Sequence, residues 1–125
     1  MDKVVHFEIP ADDVERAKKF YKKVFDWKME SFPDMEYTMI QTTAVDEKHM
    51  PTEPGAINGG MMKRQDPVKC PVITIDVQNI EETMKNVKKM GGELVRGKMQ
   101  VGDMGYAAYF KDTEGNIIGL WQNIS

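Results

Sequence analysis

The stretch Val4-Val5-His6-Phe7-Glu8-Ile9-Pro10-Ala11-Asp12-Asp13 runs from a strand pattern into a turn. Beyond it Val14, Ala17, Tyr21, Val24 and Phe25 recur at steps of three or four. The first part alternates, so Val5, Phe7 and Ile9 share one face of a strand and Val4, His6 and Glu8 the other. The second part places one apolar stripe on a helix. Asp12 or Asp13 caps that helix by accepting a bond from its first free amides.

The same pattern returns further along. Val72-Ile73-Thr74-Ile75-Asp76-Val77 reads as a strand, Asn79 as a cap with Glu82 three residues on, and Ile80, Thr83, Met84, Val87 and Met90 as the helical stripe. Gly91-Gly92 stops the helix. Laying Asp13 on Asn79 gives a repeat offset of 66 residues. Each helix precedes three strand-like segments: Trp27 to Phe32, Tyr37 to Thr42 and Ala56 to Lys63, then Glu93 to Val101, Tyr106 to Lys111 and Ile117 to Gln122. The spacing predicts an α+β fold, β-α-β-β-β twice over. Module 1 covers about residues 1–64, a linker residues 65–71, and module 2 about residues 72–125, together one domain. Asp46 to Gly55, with Pro51 and Pro54, reads as a mobile loop.

Composition bounds the function. The 125 residues are 41% hydrophobic and 30% charged, the balance of a globular protein. Seventeen basic and 20 acidic residues give a net charge of −3, with no concentrated basic block, so nucleic acid is not an expected partner. No run reaches the roughly 20 apolar residues of a bilayer crossing, and the N-terminal residues lack a signal peptide's apolar stretch. A cytoplasmic protein without a membrane partner is expected. The single Cys70 excludes an intrachain disulfide and a CxxC motif, and reads as a buried or inert thiol. His49 lies in the charged segment Asp46-Glu47-Lys48-His49 and reads as solvated.

His6-Phe7-Glu8-Ile9-Pro10-Ala11-Asp12-Asp13-Val14-Glu15-Arg16-Ala17-Lys18-Lys19-Phe20-Tyr21, with Val24-Phe25-Asp26-Trp27, resembles the opening of proteins in the glyoxalase / bleomycin resistance / extradiol dioxygenase (vicinal oxygen chelate) superfamily. The ending Asp112-Thr113-Glu114-Gly115-Asn116-Ile117-Ile118-Gly119-Leu120-Trp121-Gln122 resembles the same family's last turn and strand. The resemblance spans the chain. It implies that the two modules form one curved mixed sheet, a cup, with a helix backing each module, and that chains pair as homodimers.

The resemblance also implies four metal-ligand positions, one on the first and one on the last strand of each module. They fall on His6, Gly59, Val72 and Gly119, of which only His6 carries a donor side chain. A catalytic divalent site needs about three protein donors. A metal here would need a rearranged set around His6, Glu8, Thr74 and Asp76, so no cofactor is expected.

Without the metal, the cup offers His6, Glu8 and Thr74, with Met61 and Trp121 as an apolar wall beside the glycines. Met61 is placed on the face of Ile57 and Gly59, the face the family turns into its cup. Tyr37, Tyr106, Tyr109 and Phe110 add aromatic lining wherever alternation faces them inward. The expected function is metal-independent binding of a small, partly apolar organic molecule at His6, Glu8, Met61, Thr74 and Trp121. The alternative is a glyoxalase-like lyase or isomerase acting on an enolisable carbonyl compound, with His6 or Glu8 as base.

Overall fold

The computed structural model describes residues 1–124 and shows an α+β fold. The order is β1 (Lys3–Ala11), α1 (Val14–Phe25), β2 (Lys28–Phe32), β3 (Tyr37–Gln41), β4 (Asn58–Lys63), β5 (Val72–Asp76), α2 (Ile80–Lys89), β6 (Glu93–Val101), β7 (Gly105–Lys111) and β8 (Ile117–Asn123). This is β-α-β-β-β repeated once. The chain forms two compact units, residues 6–71 and residues 1–5 with 72–124. No helix among the described residues is long and apolar enough to cross a membrane.

In the first unit the Asp13 carboxylate caps α1 by accepting from the Arg16 amide at 3.0 Å. Glu15 in the first turn and Lys22 and Lys23 in the last complement the helix dipole. Asp26 then adopts the left-handed conformation (φ 62°) and ends the helix before Trp27. Trp27 therefore belongs to the turn rather than to β2. It lies nearly parallel to the Tyr21 ring, centroids 5.1 Å apart. β4 is flanked by β1, which runs parallel to it, and by β3, antiparallel to it; β2 pairs with β3. Ala11, Ile40 and Met61 form the buried centre, with Phe7, Ile9, Val14, Ala17, Tyr21 and Trp27 packed around it.

The segment 46–55 is a hydrogen-bonded turn. The Asp46 carboxylate accepts from the Lys48 and Met50 amides at 2.8 and 3.0 Å, and Val45 bridges to Pro51. His49 is exposed there with φ 63°. The Asn58 side chain accepts from the Thr42 and Thr43 amides, holding the far end of that connection to β4.

In the second unit Asn79 caps α2 through the Glu82 amide at 3.0 Å, and the Gln122 side chain accepts from the Ile80 amide at 2.7 Å. The chain leaves α2 through Gly91 at φ 99°, a conformation that favours glycine. β8 lies between β5, parallel, and β7, antiparallel, and β6 follows β7. Val77, Ile80, Ala108 and Leu120 make the core, with Ile75, Met84, Tyr106 and Phe110 packed against it. Ile73 shares the strand face of Ile75 and Val77 but stays exposed. Cys70, read from sequence as buried or inert, is an exposed free thiol.

Candidate functional site

Alternation along β1 separates two faces. Phe7 and Ile9 turn to α1, and His6 and Glu8 to the opposite face. The parallel register with β4 sets His6 against Asn58, Glu8 against Gly60 and Pro10 against Met62. The antiparallel register of β3 sets Met39 against Gly60. Tyr37, two residues before Met39, therefore rises on the same face as His6 and Glu8.

The Tyr37 hydroxyl lies between the two. It donates to Glu8 Oε2 at 2.9 Å and stands 2.8 Å from His6 Nε2. The His6 and Tyr37 rings are close to parallel, with an interplanar angle of 16°. Gly60 permits this, because a Cβ built on it would run into the end of the Tyr37 ring and its hydroxyl. Burial holds the His6 imidazole down at about pKa 4, so it is neutral at physiological pH. Glu8 is buried, 7% exposed. A neutral imidazole, a phenol and a carboxyl group thus form one hydrogen-bonded row, able to accept a ligand's proton donor and to pass a proton along its length.

This register corrects two readings of the sequence. Gly59 pairs with Phe7 and Met61 with Ile9, both on the helix side. A Cβ on Gly59 would meet the Phe7 ring at 2.6 Å, and Met61 is fully buried in the α1 core. Met61 is thus a core side chain and does not line the His6 face. A slip of one residue turns every side chain of a strand to the other face. Gly60 pairs with Glu8 as Gly119 pairs with Thr74, so Gly60 is the repeat counterpart of Gly119, and Met62 that of Trp121.

In the second unit Thr74 and Asp76 share a face of β5, against Gly119 and Trp121 of β8. Tyr109 pairs with Gly119 and joins that face, whereas Tyr106 and Phe110 pack into the α2 core. Thr74 is buried, and a Cβ on Gly119 would stand 2.8 Å from its Oγ1. Trp121 Nε1 donates to Asn123 Oδ1 at 2.9 Å. Burial raises the Asp76 pKa above the usual carboxylate value; the Asp2 carboxylate adds to this and Lys3 opposes it.

The four metal-ligand positions therefore read His6, Gly60, Val72 and Gly119 once register is included. Three have no donor side chain, and the His6 Nε2 is turned to a phenol. No group of three or more His, Cys, Asp or Glu among the described residues is placed to hold a metal ion. These residues do not fit a divalent ion.

The first unit also has an open cleft of about 340 Å³ on the helix side, lined by Ile9, Ala11, Arg16, Phe20, Tyr21 and Arg64. Arg64 donates to Asp12 at 2.9 Å and to the Lys69 carbonyl, so its guanidinium is already engaged. None of the candidate site residues His6, Glu8, Met61, Thr74 and Trp121 lines this cleft.

The Bleomycin resistance protein-like N-terminal family matches residues 3–43. A glyoxylase-like domain-containing protein of Didymella fabae is 32% identical over 113 residues, spanning 87% of this chain and 84% of that protein. The chain belongs to the glyoxalase / bleomycin resistance / dioxygenase superfamily. Solved structures share the fold. A superfamily member from Vibrio splendidus 12B01 superposes with TM-score 0.63 at 17% identity, covering 99% of this chain and 100% of that one. Methylmalonyl-CoA epimerase from Mycobacterium tuberculosis superposes with TM-score 0.62 at 14% identity, covering 98% and 88%. At those identities the likeness is one of fold, which in this superfamily, as in others, hosts more than one activity.

Sequence reasoning names Tyr37 only as aromatic lining. Its hydroxyl contact with His6, 31 residues away in the chain, goes unread. The available signal was a tyrosine on a strand next to a double glycine, Gly59-Gly60, one of which had to leave room.

Proposed function

We propose that this superfamily member binds a small, partly apolar organic molecule without a metal, on the face of the first unit that carries His6, Glu8 and Tyr37. The observation that supports it is the Tyr37 hydroxyl set over Gly60, where the metal-binding pattern would need a donor side chain. That exchange leaves a polar row suited to hydrogen bonding, while Met39 and Met62 supply adaptable apolar surface on the same face. Thr74 and Trp121 hold the corresponding positions in the second unit. The reading includes a homodimer acting in the cytoplasm, with neither nucleic acid nor membrane as partner.

The test is a thermal-shift screen of small aromatic and carbonyl metabolites on protein dialysed against EDTA, with elemental analysis of the undialysed sample. Stabilisation that survives EDTA and shrinks in Tyr37→Phe supports the reading. A near-stoichiometric transition metal, with ligand response lost on its removal, overturns it.

One observation favours an enzymatic alternative. His6 is held neutral beside Glu8, so either group is available as a base toward an enolisable carbonyl compound; the fold is shared with proteins named as methylmalonyl-CoA epimerases. Such an activity would exchange the ligand's α-proton with solvent deuterium, which proton NMR reads directly. No exchange across carbonyl ligands that bind would leave binding alone.

A further inference from the structure

The row His6–Tyr37–Glu8 has a direction. A phenol has one proton to give, and Tyr37 gives it to Glu8 Oε2. The 2.8 Å contact between Tyr37 and His6 Nε2 then needs its proton from the imidazole. A neutral imidazole carries a single N–H, so Nδ1 is left with a bare lone pair.

Nδ1 has no hydrogen-bond partner among the described residues, where His6 meets only Tyr37. No buried side-chain nitrogen or oxygen there lacks a partner, so an unpartnered Nδ1 must reach solvent. We infer that the Tyr37–Glu8 pair locks His6 as the Nε2–H tautomer and presents Nδ1 as the acceptor for a ligand's O–H or N–H group. The site therefore selects ligands that carry a donor, as a phenol, an alcohol or an amide does. This rests on the binding function proposed above and adds the class of ligand. Tyr37 is a positioning residue in this scheme. It touches the imidazole and sets which nitrogen faces the ligand.

The chain has two histidines, so histidine-selective ¹⁵N labelling gives a spectrum that His49→Ala assigns at once. At pH 7 the wild type should show His6 as the Nε2–H form. Tyr37→Phe should relax it toward a mixture of tautomers while the fold, read by circular dichroism, is kept. Phenol and anisole then serve as matched probes, alike except that anisole has no proton to donate. Phenol should move the His6 Nδ1 resonance and bind about tenfold more tightly than anisole, the effect of one hydrogen bond. A His6 Nδ1–H tautomer, or a tautomer indifferent to Tyr37→Phe, overturns the inference. Equal binding of the two probes overturns donor selection yet leaves small-molecule binding standing. Binding of neither overturns donor selection and counts against the binding function too.

Discussion

The ring end and hydroxyl of Tyr37 occupy the space that a side chain on Gly60 would need. The two residues lie on strands joined through the Met39–Gly60 pair, and neither can be altered without consequence for the other. Gly60→Ala must push Tyr37 aside. The expected cost is about 1–3 kcal/mol of stability, the range for overpacking a filled site. It should also release the His6 imidazole, visible as a loss of the single tautomer. Tyr37→Ala in the Gly60→Ala background should recover stability but not the tautomer. Urea denaturation of the four proteins closes this cycle. Additive losses would show that the two positions are uncoupled.

Met61 separates core from site. Met61→Ala should lower stability by about 2–5 kcal/mol, as expected for truncating a fully buried methionine, while ligand response at saturating folded protein is unchanged. Met62→Ala, on the His6 face, should do the reverse. A ligand response that follows Met61 rather than Met62 would place the binding surface on the wrong side of the sheet.

His6 predicts a pH dependence. Its folded-state pKa of about 4 lies below the ordinary value of 6.5, so the unfolded chain takes up the proton first. Stability should fall as pH drops from about 6.5 to about 4 and stop falling from this source below that. His6→Gln removes the titrating group. Subtracting the two stability curves isolates the component, and a flat difference across the window would contradict a buried neutral imidazole.

Asp76 carries the opposite sign. Its folded pKa is raised, first by burial and then by Asp2, so the folded state holds the proton longer than the unfolded chain. Stability from this group is present at low pH and is lost as pH rises past the ordinary carboxylate value of 3.8. Asp76→Asn should gain relative to wild type at neutral pH, and Asp2→Asn should give part of the same gain. Chemical denaturation at pH 3 and pH 7 is sufficient to compare them.

Local chemistry made much of the fold readable in advance. The Asp13 and Asn79 caps are side-chain bonds to amides three residues on, and the α1 and α2 stripes follow from 3.6 residues per turn. The faces of β1 and β5 follow from a period of two. Each of these depends on neighbours within one turn or one pleat, so a linear string of residues contains it. The order β-α-β-β-β twice over is legible for the same reason.

The site escaped that logic. Whether Gly59 or Gly60 stands opposite Glu8 depends on how β4 slides along β1, and no local preference of a glycine pair sets that offset. The packing of Met61 among Ile40, Ala11 and the α1 side chains decides which glycine faces Glu8, since a one-residue slip would turn the methionine away from that core. Once that register exists, Gly60 opens a gap and the Tyr37 hydroxyl enters it, joining His6 to Glu8 across three strands. Side-chain type and periodicity came from the chain itself; the meeting of a phenol, an imidazole and a carboxylate at hydrogen-bonding distance came only with strand pairing.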